Sequence, residues 1–272
     1  MIDLHAHVLA GVDDGPATAD ESVELARRAV ADGVATLAAT PHLRDDHPGV
    51  VPEELAGRRT QLQRRLVEEG VALQIVTGGE VDFSWALDAT DDALELVSYD
   101  QRGSDLLVET PYGELPHDFE RILETIRRRG YRVLLAHPER SPSFQRSPER
   151  LARLVDAGVL VQLTAAALAG SPNSRSRRFA LAAVSEGMAH VIASDAHGFA
   201  TADRPGLSQA VAVASELDQG RAQWMVTDAP AAVLAGAPLP PPPSGSAAGR
   251  GMLSRARRIL RVHRWAPSKR RT

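Results

Sequence analysis

Histidine and acidic residues follow several short apolar runs of this chain, and such side chains can bind divalent metal ions. The apolar run at residues 2–4 leads directly into His5 and His7. Alternate side chains of a strand point to the same face, so both imidazoles could share one metal ion. Taken alone, this pair is equally compatible with a structural role.

The other apolar runs end in the same way. His42 follows the run at 34–40, Glu80 follows 72–77, Glu109 follows 105–108, His137 follows 131–136, and Asp195 and His197 follow 191–193. The run at 159–163 ends instead with Thr164. Parallel strands bring their carboxyl ends to one edge of a sheet or barrel. So many acidic and imidazole groups at one edge would require compensating cations, and we expect a cluster of metal ions there.

The loop at residues 11–15 places two further acids beside the first histidine pair. Asp13 and Asp14 fit an ordinary turn, because aspartate and glycine favour turns. We predict that Asp14 is a metal ligand and leave Asp13 with the turn. Glu80 follows two glycines, which allow a close approach of the backbone. Four histidines lack a comparable position and are interpreted as ordinary surface or core residues: His47, His117, His190 and His263.

Two arginines lie close in sequence to the predicted ligands. Arg140 comes three residues after His137, and Arg204 follows His197 after a short loop. The planar guanidinium group matches the geometry of phosphate oxygens, so both residues are candidate phosphate ligands. The alternative for Arg140 is a salt bridge to a neighbouring acid such as Glu139.

The elements that must position these residues are strands alternating with helices. The apolar runs at 2–4, 34–40, 72–77, 105–108, 131–136, 159–163 and 191–193 are predicted strands of a parallel sheet. Amphipathic segments at 18–32, 52–69, 116–129, 148–156 and 173–186 are predicted helices. Seven strands in this order favour an α/β fold of the TIM-like (β/α)7 barrel type. We expect a single domain at residues 1–236, a Pro/Gly/Ser linker at 237–249 and a basic tail at 250–272.

Composition and charge exclude several classes of function. The chain has 272 residues and no cysteine, which excludes disulfides, thiolate metal sites and a cysteine nucleophile. Residues 250–272 contain nine of the 31 basic residues and no acid, so the preceding part is strongly acidic and argues against nucleic-acid binding. No basic stretch followed by an apolar run opens the sequence, and we expect a cytoplasmic location. The tail is either a solvated disordered segment or a short helix in weak contact with anionic lipid.

As a set, the motifs HAH, DDGP, TPH, GGE, HPER and SDAH resemble the PHP (polymerase and histidinol phosphatase) superfamily. Their combination is most similar to its branch of bacterial tyrosine-protein phosphatases of capsule and exopolysaccharide biosynthesis. The resemblance covers roughly residues 1–235. It implies a distorted (β/α)7 barrel with two or three divalent ions, manganese most often, although Fe, Zn, Mg or Co are alternatives.

The resemblance also assigns roles to individual residues. One metal would be held by His5, His7, Glu80 and Asp195; a second by Glu80, Glu109 and His137; and a third by Asp14, His42 and His197. Arg140 and Arg204 would hold the phosphate, and His42 is included among the catalytic candidates because a nearby histidine could assist the leaving group. Gly198 departs from the family pattern, and residues 164–174 match it only loosely.

By this resemblance the chain is expected to hydrolyse phosphotyrosine with metal-activated water. The implied substrate is the C-terminal tail of a bacterial tyrosine kinase, and homo-oligomers are possible. One alternative keeps the site but changes the substrate to a small phosphomonoester, such as histidinol phosphate, or to a nucleic-acid end. A second is a metal-dependent amidohydrolase, although Lys269 is the only lysine and no bridging lysine is available in the barrel. A third is a non-catalytic scaffold whose working part is the tail.

Overall fold

The computed structural model describes residues 1–198 and 204–243. Its strands are β1 Ile2–Ala6, β2 Thr36–Ala39, β3 His42–Leu43, β4 Gln74–Thr77, β5 Glu80–Val81, β6 Asp105–Glu109, β7 Arg132–Ala136, β8 Leu160–Thr164 and β9 Val191–Ala193. Its α-helices are α1 Ala19–Ala31, α2 Pro52–Glu68, α3 Phe83–Asp88, α4 Asp91–Val97, α5 Phe119–Arg128, α6 Pro142–Arg146, α7 Pro148–Asp156, α8 Ala165–Ala169, α9 Arg175–Ser185, α10 Leu207–Trp224 and α11 Asp228–Leu234. Each strand and helix predicted within residues 1–236 corresponds to a strand or helix of the structure.

The strands are parallel and form two sheets that continue into each other. One sheet has the order β1-β2-β4 and the other β3-β5-β6-β7-β8-β9. After a break of two residues, β3 continues the path of β2 and β5 continues that of β4. The seven predicted strands are therefore present, with the second and third each divided in two. This arrangement confirms the α/β fold with parallel strands.

The first strand also meets the segment that follows the last one. A parallel bridge pairs Ala6 with Ala196. The His5 carbonyl accepts a hydrogen bond from the Asp195 backbone N–H at 2.8 Å, and His7 N–H donates to the Ala196 carbonyl at 2.9 Å. These contacts bring the two ends of the strand series together at their carboxyl ends.

The strands are buried on both faces, as their apolar sequences predict. Along β6, Leu107 belongs to one apolar cluster, while Leu106 and Val108 belong to a second and larger one. The smaller cluster also contains Tyr99, whose hydroxyl donates to the Leu4 carbonyl at 2.8 Å. Packing on both faces holds the strand ends, and therefore the side chains that follow them, in place.

Glycine positions follow the sequence prediction. Gly33, Gly70, Gly130, Gly158 and Gly187 all have positive φ angles after helices. A Cβ atom added at Gly79 would lie 2.6 Å from Leu43 Cδ2, and one at Gly78 would lie 3.1 Å from Thr40 Cγ2. The close backbone approach predicted before Glu80 is therefore confirmed.

The sequence pattern does not predict the short helices α3, α4, α6 and α8 or the two helices after residue 205, α10 and α11. Helix α10 contains a kink at Asp218 (φ −162°), which interrupts its pattern. Residues 244–272, with the second part of the predicted linker (244–249), the basic tail and His263, lie outside the described residues. No helix in the described ranges combines the length and the apolar character that a membrane span needs.

Candidate metal centre

Glu80 lies at the centre of the predicted ligand cluster. It opens β5 and is 1% exposed. Its Oε2 atom lies 3.3 Å from His5 Nε2 and 3.0 Å from His42 Nδ1, while Oε1 lies 2.7 Å from His137 Nε2. One carboxylate is thus shared by imidazoles from three different strand ends.

His5 in β1 and His7 directly after this strand point to the same place. His5 Nε2 and His7 Nε2 are 3.3 Å apart. Asp195 Oδ1 lies 3.3 Å from His5 Nε2 and 3.6 Å from His7 Nε2. Because these atoms also surround Glu80 Oε2, the four side chains form a compact set of nitrogen and oxygen donors.

A second group of donors lies nearer to the solvent. Asp14 Oδ1 is 3.6 Å from His42 Nε2 and 3.3 Å from His197 Nε2. His7 belongs to this group as well, since its ring stacks on that of His197 with centroids 3.8 Å apart. The Asp14 side chain is 55% exposed, so this end of the cluster is open to substrate or solvent.

Glu109 completes the cluster from the end of β6. Its ligand atoms lie within 4.8 Å of those of His42 and Glu80. Arg44 Nη1 also donates to both Glu109 oxygens, at 3.1 and 3.2 Å. The structure thus brings together all nine residues predicted as ligands: His5, His7, Asp14, His42, Glu80, Glu109, His137, Asp195 and His197.

Three hydrogen bonds orient the histidine rings. His5 Nδ1 lies 3.1 Å from Gln162 Oε1, His7 Nδ1 lies 2.6 Å from Asp13 Oδ2, and His197 Nδ1 lies 3.0 Å from the Asp195 carbonyl. A proton on each Nδ1 leaves each Nε2 lone pair directed at the cluster. Metal-binding histidines in proteins are commonly oriented in this way.

The sequence analysis missed two of these orienting groups. Asp13 was assigned to a turn, yet its carboxylate accepts from the backbone N–H groups of Gly15 and His42 as well as from His7. Gln162 lies in β8, the strand that ends without a predicted ligand. A glutamine inside an otherwise apolar buried strand was the available signal. His47, interpreted as an ordinary surface or core residue, stacks its ring on that of His42 with centroids 5.1 Å apart.

The cluster changes the protonation of its members. Burial opposes the ionisation of Glu80, yet His5, His137 and His42 hold the pKa of Glu80 well below its usual range. Burial also disfavours a protonated His7, but Asp13, Asp195 and Glu80 raise its pKa well above 6.5. Burial and the neighbouring His7 lower the pKa of His197 to about 4, so this imidazole is neutral at pH 7.

The donor set fits divalent metal ions. Glu80 Oε2, His42 Nδ1 and His137 Nδ1 are buried and form no hydrogen bond within residues 1–198 and 204–243. Imidazole nitrogens surround this buried carboxylate oxygen without forming a hydrogen bond to it, which is costly, and a cation at this position would compensate for it. Imidazole and carboxylate donors without thiolate suit Mn, Fe, Zn, Mg or Co.

Both predicted arginines line the cleft beside this cluster. Arg140 Nη2 donates to Asp195 Oδ2 at 2.5 Å, and Nη1 donates to the Tyr112 hydroxyl at 3.1 Å. Arg204 is exposed and borders the same cleft, which has a volume of about 650 Å³. The cleft is lined by Asp14, Tyr112, Arg140, Thr164, Ala166, Ala167, Ser171, Ser174, Ser176, Asp195, His197 and Arg204.

Arg140 does form a salt bridge to an acid, as the alternative interpretation suggested, but its partner is Asp195 and not Glu139. The buried carboxylate of Glu139 accepts from the Thr164 hydroxyl at 2.7 Å and from the Thr164 N–H at 3.0 Å. The strand that lacks a predicted ligand therefore anchors the segment that carries Arg140.

Two of the predicted ligands have a left-handed backbone. His137 has φ 37° and Asp195 has φ 54°, each directly after or close to the end of a strand. Non-glycine residues in this region are strained by roughly 1–3 kcal/mol and cluster at functional sites. With this backbone conformation, both side chains reach the shared cluster, where His137 contacts Glu80 and Asp195 contacts His5.

Comparison with known proteins reveals clear relatives. A family model described as "Capsular polysaccharide synthesis, CpsB/CapC" matches residues 1–235. The tyrosine-protein phosphatase YwqE of Bacillus subtilis is 33% identical over 204 residues, which cover 74% of this chain and 79% of that protein. The tyrosine-protein phosphatase CpsB of Streptococcus agalactiae is 28% identical over 210 residues, covering 72% and 83%.

Solved structures agree with the fold. One from work on YwqE of Bacillus subtilis and CpsB of Streptococcus pneumoniae, described as unique metal-dependent tyrosine phosphatases, matches with a TM-score of 0.78 at 29% identity. The match covers 89% of this chain and 98% of that one. An organophosphorus hydrolase of Deinococcus radiodurans matches with a TM-score of 0.55 at 16% identity, which shows a similarity of fold alone.

Proposed function

The chain belongs to the CpsB/CapC family of capsular polysaccharide synthesis proteins, and we propose that it is a metal-dependent protein-tyrosine phosphatase. The observation that carries this proposal is the meeting of nine imidazole and carboxylate side chains around buried Glu80, directly beside Arg140. Such a site combines donors for cations with a guanidinium group that fits phosphate.

The metal assignment follows the donor groups. His5, His7, Glu80 and Asp195 would hold one ion; Glu80, Glu109 and His137 a second; and Asp14, His42 and His197 a third, with manganese as the first candidate. His7 also lies close to the third group and Glu80 close to His42, so neighbouring ions would share these side chains. Ions bound there would polarise phosphoryl oxygens and lower the pKa of water.

The side chains of the cleft would bind and orient the phosphoryl group. Arg140 is anchored by Asp195 and Tyr112 and lines the cleft, and its remaining N–H donors would be available to a phosphate there. Arg204, at the border of the cleft, would add a second positive charge. Both guanidinium groups would stabilise the charge that develops on the phosphoryl oxygens.

The leaving group of a phosphotyrosine substrate needs little help from an acid of the protein. A tyrosinate has a pKa near 10, so its oxygen needs less protonation than an alkoxide. His42, at the open end of the cluster beside Asp14, is the candidate to assist. We further propose that the physiological substrate is the phosphotyrosine-rich tail of a bacterial tyrosine kinase that controls polysaccharide export.

The test is hydrolysis of a phosphotyrosine peptide by the full chain, with metal content measured on the same sample. Activity should disappear with a chelator, return with Mn²⁺ and be unaffected by a thiol-alkylating reagent. Glu80→Gln should lose at least about 100-fold in kcat/KM, because it removes the charge shared by three imidazoles. The surface variant Glu24→Gln should retain full activity.

Two outcomes would overturn the proposal. Activity that survives complete removal of metal would contradict the metal-dependent site. Faster hydrolysis of histidinol phosphate or of oligonucleotide ends than of the phosphotyrosine peptide would retain the site but assign it a different substrate.

A further inference from the structure

We propose that Tyr112 selects aromatic phosphoesters by stacking its ring against the ring of the substrate. The inference rests on the phosphatase function proposed above and names a specificity residue for it. Tyr112 follows β6 and is 64% exposed, an unusual exposure for a large aromatic side chain. It lines the cleft together with Arg140, Asp195 and His197.

The position of the ring is held at its hydroxyl end. The Tyr112 hydroxyl accepts a hydrogen bond from Arg140 Nη1 at 3.1 Å. The ring centroid lies 6.0 Å from that of His137, with the planes inclined by 31°. A phosphate held by Arg140 would therefore place its ester substituent next to this ring.

The loop that carries Tyr112 is anchored on both sides. Before it, the Thr110 hydroxyl donates to the Ala136 carbonyl at 2.5 Å. After it, the Leu115 N–H donates to the Ser143 hydroxyl at 3.0 Å, and Ser143 donates to Glu114 at 2.7 Å. An anchored loop loses little further entropy when a ligand stacks on the ring, so the contact is pre-organised.

The rest of the cleft leaves room for an aromatic substituent. The lining contributed by α8, α9 and the loop between them consists of small side chains: Ala166, Ala167, Ser171, Ser174 and Ser176. Aromatic rings attract each other at centroid separations of about 4.5–7 Å, beyond the burial of apolar area. An alkyl phosphoester of similar charge cannot make this contact, so the ring would discriminate by substituent and not by phosphate.

The experiment compares phenylphosphonate with methylphosphonate, which share the anionic group and differ in the ring. Their dissociation constants are measured by calorimetry on the metal-loaded full chain and on Tyr112→Phe and Tyr112→Ala. The original chain and Tyr112→Phe should bind phenylphosphonate about three- to tenfold more tightly than methylphosphonate. Tyr112→Ala should lose this preference, while its affinity for methylphosphonate should match that of Tyr112→Phe, since both variants lack the hydroxyl contact with Arg140.

Circular dichroism and metal content show whether each variant is folded and loaded. A preference that persists in Tyr112→Ala would overturn the inference. A preference lost equally in Tyr112→Phe would overturn it too, since the hydroxyl contact with Arg140 would then be responsible. Failure of the original chain to bind either phosphonate, or to hydrolyse the phosphotyrosine peptide, would instead count against the proposed function.

Discussion

Arg140 and Asp195 form an ion pair that connects the phosphate-facing arginine to the histidine cluster. Arg140 Nη2 donates to Asp195 Oδ2 at 2.5 Å, while Asp195 Oδ1 lies 3.3 Å from His5 Nε2. Burial opposes the ionisation of Asp195, but His5, His7 and Arg140 keep its pKa well below the usual range. The same carboxylate therefore positions a guanidinium group and presents an oxygen to the candidate metal ligands.

Replacing Arg140 by lysine should separate phosphate binding from metal binding. Lysine keeps the charge but cannot reproduce the planar fork that reaches Asp195 and Tyr112 together. We expect kcat/KM for a phosphotyrosine peptide to fall by about 10²–10³ with unchanged metal content. The control is Arg58→Lys on α2, whose side chain is 39% exposed and pairs only with Glu54 among the described contacts. A loss below tenfold in Arg140→Lys would contradict the assigned role.

Replacing Gln162 by leucine should weaken metal binding with little effect on folding. The variant loses the 3.1 Å contact with His5 Nδ1 but also removes Gln162 Nε2, a buried atom without a partner in the described ranges. The two effects oppose each other, so the free energy of unfolding without metal should change by less than about 1 kcal/mol. Metal affinity should fall about 10- to 100-fold, because His5 loses its orienting acceptor.

Chemical denaturation and metal titration measure the two quantities separately. Gln162→Glu keeps an acceptor beside His5 and serves as the control that should retain metal affinity. Unchanged metal affinity in Gln162→Leu would show that Gln162 does not orient His5.

Metal binding should release protons. Burial disfavours protonated His5 and His7, yet in the protein without bound ions the neighbouring carboxylates raise the pKa of both above 6.5. A metal ion must displace these protons, so its apparent affinity should rise with pH and level off above the raised pKa values. Calorimetric titration with Mn²⁺ in buffers of different ionisation enthalpy measures the released protons. A heat independent of the buffer would be the contrary result.

A matched pair of glycine substitutions should change stability in opposite directions. In Gly79→Ala the new Cβ would lie 2.6 Å from Leu43 Cδ2 and 3.0 Å from Val97 Cβ, so we expect a loss of about 1–3 kcal/mol. Gly57 lies inside α2 with no atom within 4 Å of such a Cβ. Gly57→Ala should therefore stabilise the chain by roughly 0.5–1 kcal/mol. Thermal denaturation of both variants provides the test; equal effects would refute the packing argument.

The position of the predicted ligands at one edge of the sheet was predictable, because the parallel direction of the strands alone decides where the residues at their ends lie. His42, Glu109 and His137 follow apolar runs, and any parallel arrangement of those runs brings them to one edge. The glycines before Glu80 were predictable for a similar reason, since their role depends on the local backbone.

The residues that orient the predicted ligands, and the aromatic residue in the cleft, were harder to predict. Gln162 and His5 are 157 residues apart in the chain, so nothing local reveals their contact. Asp13 looks like a turn residue because it is one, and its second role toward His7 depends on how the loop folds back over β1. Tyr112 gives no periodic signal, since it lies in a loop and is exposed.

The pairing of Ala6 with Ala196 has a consequence for the order of events during synthesis. His5 and His7 leave the ribosome about 190 residues before Asp195 and His197. Contacts so distant in sequence form late in folding, because the loop between them must close first. A nascent chain would thus hold these two imidazoles without Asp195 and His197 until those residues have emerged, and it could acquire its full complement of ions only after the last strand is made.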